Sequence, residues 1–300
     1  MNNNLCSICP RSCRADRNSG KGFCGADSRI RIARAALHFW EEPCISGTHG
    51  SGAVFFCGCN LKCVFCQNIE ISRGRVGAEV SPQRLGEIFL ELQRQGAHNI
   101  NLVTPTHYVK EIKRALLCAG NALEIPIVYN CGGYECSRGL EVLSDYTDIY
   151  LTDFKYASDR LAERYSRCSD YFDTAIAALK YMIDAVGAPV YDSDGIMQSG
   201  VIVRHLVLPS CRHDSIELLR RLSAEFGTDK FRLSIMSQFT PNGALHDFPE
   251  LNRRITSFEY KSVVEEALRL GFSDAYIQER SSAKAEYTPP FDLTGVKRNK

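Results

Sequence analysis

Long apolar runs are missing from this chain. No stretch of its 300 residues approaches the roughly 18 consecutive apolar side chains that a membrane-spanning helix needs. Its opening, Met1-Asn2-Asn3-Asn4-Leu5, lacks the basic-then-apolar layout of a secretory leader. An excess of charge is missing too. With 36 basic against 35 acidic residues, the net charge of +1 gives no reason to expect a nucleic-acid or acidic-membrane partner. There is no low-complexity segment, and no repeat beyond an alternation of strand-like and helix-like stretches. The zinc-hydrolase pattern H-E-x-x-H is absent. The glycines Gly47, Gly50 and Gly52 lack a following Lys-Ser/Thr and precede a strand, which excludes a phosphate-binding loop. These absences lead to the expectation of a cytoplasmic protein of one large domain with a small appendage.

Cysteine, in contrast, is abundant: there are 14. Without a secretory leader so many thiols point to metal binding in a reducing compartment rather than to disulfides. They fall into two tight groups. Cys59, Cys63 and Cys66 stand in the spacing C-x3-C-x2-C, with the aromatic Phe65 just before the last. Three thiolates can hold three corners of a [4Fe–4S] cubane and leave the fourth iron open for chemistry. A zinc knuckle fits less well, because zinc sites usually pair C-x2-C with a second, distant pair. The other group is Cys6, Cys9, Cys13 and Cys24, interleaved with Pro10, Gly20, Gly22 and Gly25. A segment so short cannot bury a core. We expect residues 1–28 to be a cysteine-rich module organised by a second metal, either zinc or another iron–sulfur cluster.

Residues 29–52 read as an extended connector or edge strand followed by a turn-rich loop. From Ala53 the chain alternates. Strands are expected near 53–56, 99–104, 126–130, 148–152, 201–208 and 231–236, with a further short one near 274–278. Helices are expected near 81–92, 108–119, 137–143, 170–186, 214–226 and 260–270. Ser81-Pro82 supplies a cap and a first-turn proline for the first of these. Gly187–Gly200 reads as a polar loop. Parallel strands joined by helical crossovers make this an α/β protein with a partial (β/α)6 TIM-like barrel over 53–285. Residues 286–300 are left as a basic, solvated tail.

In such a barrel the residues just after each strand share one mouth. They include the cysteine loop, Thr104 to Tyr108, Asn130 to Glu135, Asp153-Phe154-Lys155, and Gln238 with Thr240. Arg204 and His205 lie on opposite faces of the fifth strand, with His205 expected outward. His107 reads equally as a mouth residue or a helix start. Cys57, Cys131 and Cys136 are expected to be unreactive. Gly187–Gly200 and the N-terminal module are the candidate lids over the mouth.

The sequence from Cys59 to Cys66 resembles the C-x3-C-x-aromatic-C signature of the radical S-adenosylmethionine (SAM) superfamily, and the resemblance extends over roughly residues 50–280. It implies a partial barrel, a [4Fe–4S] cluster on Cys59, Cys63 and Cys66, and SAM chelated to the open iron by its amino and carboxylate groups. It further implies an oxidoreductase. One electron cleaves SAM to methionine and a 5′-deoxyadenosyl radical, which abstracts a hydrogen atom. The expected SAM contacts are Phe65, Thr104, Asn130, Gly132, Asp153, Lys155 and Arg204, with the arginine suited to a carboxylate by its bidentate fork. More narrowly, Asp153-Phe154-Lys155, Arg204 and Asn130–Tyr134 resemble the enzymes that activate glycyl radical proteins. The whole chain looks most like the PflX-like relatives of the pyruvate formate-lyase activating enzyme. That likeness implies a glycine of a partner protein as substrate, and a flavodoxin or ferredoxin as electron donor. The chain departs from the superfamily at Val103-Thr104-Pro105-Thr106-His107, where many members place Gly-Gly-Glu for the SAM ammonium. Two rival readings are a radical SAM enzyme acting on another peptide or small molecule, and an iron–sulfur electron carrier that does not cleave SAM.

Overall fold

The computed structural model describes residues 5–241, 245–278 and 288–297. Its strands are β1 (Arg31–His38), β2 (Ser51–Phe56), β3 (Ala78–Glu79), β4 (Ile100–Val103), β5 (Ile127–Cys131), β6 (Ile149–Asp153), β7 (Val190–Tyr191), β8 (Met197–Leu206), β9 (Arg232–Met236) and β10 (Tyr276–Ile277). Its helices are α1 (Pro43–Ser46), α2 (Ile69–Ser72), α3 (Pro82–Arg94), α4 (Val109–Ala119), α5 (Ser137–Leu140), α6 (Asp159–Ser166), α7 (Tyr171–Val186), α8 (Arg212–Phe226) and α9 (Ser257–Arg269).

One sheet carries the fold, in the order β10-β9-β8-β6-β5-β4-β2-β1-β3, with β7 paired to β8. From β2 round to β10 every main-path pairing is parallel. All residues of β2, β4 and β5 are buried, as strands covered on both faces must be. The covering helices are amphipathic. In α3, Leu85, Ile88, Phe89 and Leu92 face the sheet, while the Ser81 hydroxyl caps the helix by accepting from the Arg84 amide. A reciprocal capping box of Thr256 and Glu259 opens α9. The main core lies between these helices and the outer face of the sheet. The register places Phe55, Val103, Asn130 and Leu151 in one row across the inner face, and Asp153, Arg204 and Ser234 in another.

The strand reading of the 29–52 segment is narrowed and three other expectations change. The connector is part of the sheet: β1 pairs antiparallel with β2 on one side and with β3 on the other. It delivers the chain to the amino-terminal end of the barrel, where Cys44 and Ile45 of α1 pack inside against Val128, Ile149, Leu151, Met197 and Ile202. The polar loop 187–200 forms a hairpin of β7 with the start of β8. Gly200 pairs with Ile149, the first residue of β6, so this hairpin stands at the end opposite the mouth and cannot be a lid. Residues 288–297 are not a solvated tail. The Ala35 amide donates to Thr294 O and the Leu293 amide to Ala33 O, and Val296 is buried. Finally, α6 was not foreseen, because its eight residues carry few apolar positions. No helix among the described residues is long and apolar enough to cross a membrane.

Candidate functional site

The chain leaves β2 at Phe56 and forms the cysteine loop at the carboxyl end of the sheet. Four segments pin that loop. The Cys59 amide donates to Cys24 O (3.0 Å) and the Val64 amide to Tyr165 O (2.9 Å). Asn60 Nδ2 donates to Tyr134 O (2.7 Å), and Arg73 holds Lys62 O (2.8 Å). Arg11 adds bonds to Asn60 O, Ser166 O and Arg167 O. Gly58 has φ +97°, and a Cβ there would lie 2.8 Å from Cys24 O, so only glycine lets the N-terminal segment dock this closely. Phe65 is buried edge-on against Tyr156, Tyr165 and Phe239, each ring centroid 6.4 Å away. This aromatic box fixes the residue between two cysteines.

Cys59, Cys63 and Cys66 line one cavity together with Phe65, Thr104, Asn130, Gly132, Asp153, Lys155 and Arg204. All three cysteines are free thiols. Ser166 Oγ donates to Cys63 Sγ (2.9 Å). Burial, followed by the neighbouring Cys63 and Cys66, pushes the Cys59 thiol up to about 12, and burial raises Cys66 as well. Three thiols lining one cavity suit a cationic metal centre, which stabilises thiolates. Among the described residues no three His, Cys, Asp or Glu side chains are grouped to hold a single metal ion. A cubane asks for something else, since each of its cysteines binds a different iron and the sulfurs need only line a common cavity.

The same cavity also has a charged lining. Asp153 Oδ2 meets Lys155 Nζ at 2.6 Å, and Asp153 Oδ1 accepts from Arg204 Nε at 2.9 Å. Burial works against the Asp153 charge, yet Lys155 and Arg204 hold its carboxyl below the usual range. The rest of the Arg204 fork is also engaged, by Glu41 Oε2 (2.9 Å) and Asn130 Oδ1 (2.7 Å). Glu41 Oε1 in turn accepts from Asn101 (3.0 Å) and Asn130 (3.3 Å). Glu41 comes from the segment after β1 and was missed in the sequence. Its only signal there is a pair of acids next to a buried stretch.

Where the Gly-Gly-Glu pattern is lacking, Thr104 borders the cavity with φ +62°, a left-handed conformation uncommon for a β-branched residue. Its amide donates to Asn130 O (2.8 Å). Gly132 approaches the loop so closely that a Cβ would lie 2.7 Å from Leu61 Cδ1. His107 is buried away from the cavity, with Nε2 donating to Cys57 O (2.8 Å). His205 packs outside the barrel between Phe154 O and Ser215 Oγ. The Cys131 thiol is turned to Thr152, and burial raises it far above the ordinary thiol range.

The N-terminal cysteines sit behind the loop. Cys9 and Cys24 are buried, Cys6 is half-buried and Cys13 is exposed. The Cys13 and Cys24 sulfurs flank Gly22, 3.3 and 3.4 Å from where its Cβ would be. Burial pushes Cys9 up to about 12.

The sequence profile of the Radical SAM superfamily matches residues 53–193 of this chain. An uncharacterized protein of Methanocaldococcus jannaschii is 29% identical over 273 residues, covering 87% of this chain and 73% of that one. Among solved structures, Streptococcus suis SuiB bound to its precursor peptide SuiA matches with a TM-score of 0.52 at 13% identity, over 74% of this chain and 46% of SuiB. SuiB bound to S-adenosylmethionine gives 0.50 at 12% identity, over 73% and 47%. HydG, a maturase of the [FeFe]-hydrogenase, gives 0.50 at 12% identity, over 73% and 49%. The chain spans about half the length of these solved proteins, and at such identities the likeness is one of fold.

Proposed function

We propose that this chain is a radical SAM enzyme, an oxidoreductase in which Cys59, Cys63 and Cys66 hold a [4Fe–4S] cluster. The observation that carries the reading is one cavity lined both by the three thiols and by the Asp153–Lys155–Arg204 network. When bound, the reduced cluster supplies one electron that cleaves SAM to methionine and a 5′-deoxyadenosyl radical for hydrogen-atom abstraction. The protein's own residues orient and exclude water. Phe65 and its aromatic box keep the loop dry. Asp153, Asn130 and the Thr104 backbone offer acceptors for SAM's ammonium and ribose hydroxyls, while Lys155 offers a donor to its carboxylate. Gly132 gives the ligand room against the backbone. Arg204, engaged on three sides by protein, fixes Asp153, Asn130 and Glu41 relative to one another. The test is anaerobic: reduced protein with SAM should yield 5′-deoxyadenosine and methionine in equal amounts. A carrier that does not cleave SAM would yield neither.

For the substrate, the Asp-x-Lys at the end of β6 and the β8 arginine support a glycine in a partner protein, the activase reading, with a flavodoxin or ferredoxin as donor. Another peptide or a small molecule is the alternative. With a partner deuterated at glycine Cα, deuterium in 5′-deoxyadenosine and a glycyl radical signal support activation; deuterium arriving only from a small metabolite eliminates it. For the N-terminal module, the sequence spacing of its four free thiols supports a second metal on Cys6, Cys9, Cys13 and Cys24, zinc or iron–sulfur; their side chains are not grouped for a single ion, so binding would have to draw them together.

A further inference from the structure

Beneath the Arg204 network lies a second cavity, of about 350 Å³, between Phe39–Pro43 on one side and β9 and β10 on the other. It shares Trp40, Glu41, Arg204, Met236 and Gln238 with the cysteine cavity, so the two adjoin across the Glu41–Arg204 ion pair. Phe39 and Trp40 stand at its entrance, 50% and 51% exposed. Glu42 lines it and is 8% exposed, and its Oε2 is buried without a hydrogen-bond partner.

The charges do not balance. Three carboxylates (Glu41, Glu42 and Asp153) share one buried network with two cations, Arg204 and Lys155. Asp153 is taken by Lys155 and Arg204, and Glu41 by Arg204. Glu42 feels Arg204 only through space and is opposed by Glu41. The hydrogen-bonding groups that act on it are neutral, its own backbone N–H and the Ser234 hydroxyl. A buried carboxylate oxygen with no donor is costly, and the usual remedies are a proton or a cation. A cavity with an aromatic entrance and room for a small head group favours the cation, because aromatic faces attract ammonium and guanidinium groups.

We propose that this cavity is a substrate subsite, and that Glu42 recognises a cationic group of the substrate, an ammonium or guanidinium, entering past Phe39 and Trp40. The substrate role rests on the radical SAM reading above; the cation site does not. On that reading the substrate is a basic amino acid, a basic residue of a peptide or a small amine, held beside the chamber in which the radical forms.

Trp40 is the single tryptophan of the chain and lines both this cavity and the adjoining cysteine cavity, so its emission reports on the two together and the Glu42 variants assign the response to this one. The anaerobically purified full chain is titrated with n-butylammonium and butylguanidinium, using n-butanol and sodium chloride as controls. We expect a saturable change in Trp40 emission with the two cations and none with the controls. Glu42→Gln should weaken the cations by roughly ten- to a hundredfold, the worth of one charge-assisted hydrogen bond. Glu42→Asp should keep the preference for cations. The proposal is overturned if neither cation gives a saturable response, if butanol binds as well as butylammonium, or if Glu42→Gln binds the cations as wild type does. The wild-type comparison decides even if the glutamine variant misfolds. Production of 5′-deoxyadenosine by the same wild-type preparation tests the enzymatic reading separately, because the fluorescence experiment contains no SAM.

Discussion

The two cysteine groups differ in what surrounds them. Cys59, Cys63 and Cys66 line a cavity at the carboxyl ends of parallel strands that is also lined by Asp153, Lys155 and Arg204. Cys6, Cys9, Cys13 and Cys24 lie in a small excursion whose own order is a single bridge, Leu5 to Asp16, and a few turn bonds. The first group is held by the barrel whether or not metal is present. The second has little internal order and is held mainly by its docking onto the loop, through Cys24 O, the Arg11 bonds and the buried Ile8 and Ala26. A rigid scaffold is suited to hold reacting groups in place, while a segment with little order of its own gains most from binding a metal.

The sharpest way to break this contrast is to remove the first group. Cys59, Cys63 and Cys66 all replaced by alanine should abolish the cluster's absorption near the visible blue and every trace of SAM cleavage. The fold should survive, as read by circular dichroism. Residual 5′-deoxyadenosine from that variant would sink the proposal. Next in size is the charged wall. Arg204→Ala leaves Asp153 and Glu41 without their shared partner, and breaking a buried ion pair this way costs about 3–5 kcal/mol. Urea denaturation measures it, and Arg204→Lys should recover only part because it lacks the fork.

Removing the second group should give a smaller and more local effect. Cys9→Ala should lower bound zinc or iron at the N-terminus and speed amide exchange in residues 5–27, while the loop cluster remains. Metal content equal to wild type would show that the module needs no metal. The smallest expected effect concerns Glu135, a buried acid that faces both Cys9 and Cys131. Burial raises it from 4.5 to about 8, although Thr106 and Tyr129 donate to it. The folded protein therefore holds one more proton than the unfolded chain between these values, and stability should fall as pH rises from about 4.5 to 8. Glu135→Gln should flatten that slope in thermal melts across the same range.

The parallel strands were legible because each carries a short apolar run bounded by turn residues, and side-chain alternation alone separated Arg204 from His205. Thr104, Asn130, Gly132, Asp153 and Lys155 could be placed because strand ends share a mouth. What stayed hidden depends on contacts distant in sequence or on short elements. Glu41 belongs to a turn-rich stretch, and nothing local says that it enters the barrel. The left-handed backbone of Thr104 has no residue signature. The β7 hairpin offers only Val190 and Tyr191 beside an Asp-Ser-Asp-Gly turn, too few positions for a period to show.

The ion pair between Glu41 and Arg204 spans 163 residues, and this has a consequence for synthesis. Translation proceeds at about 5–20 residues per second. Glu41 thus leaves the ribosome about ten to thirty seconds before the arginine that neutralises it. Through that interval the first strands can pair, but the floor carries acids with no counter-ion, and closing it early would bury bare charge. The barrel's interior is therefore a late-maturing region, and a chain cut short before β8 should expose its floor to proteases however well its first strands have formed.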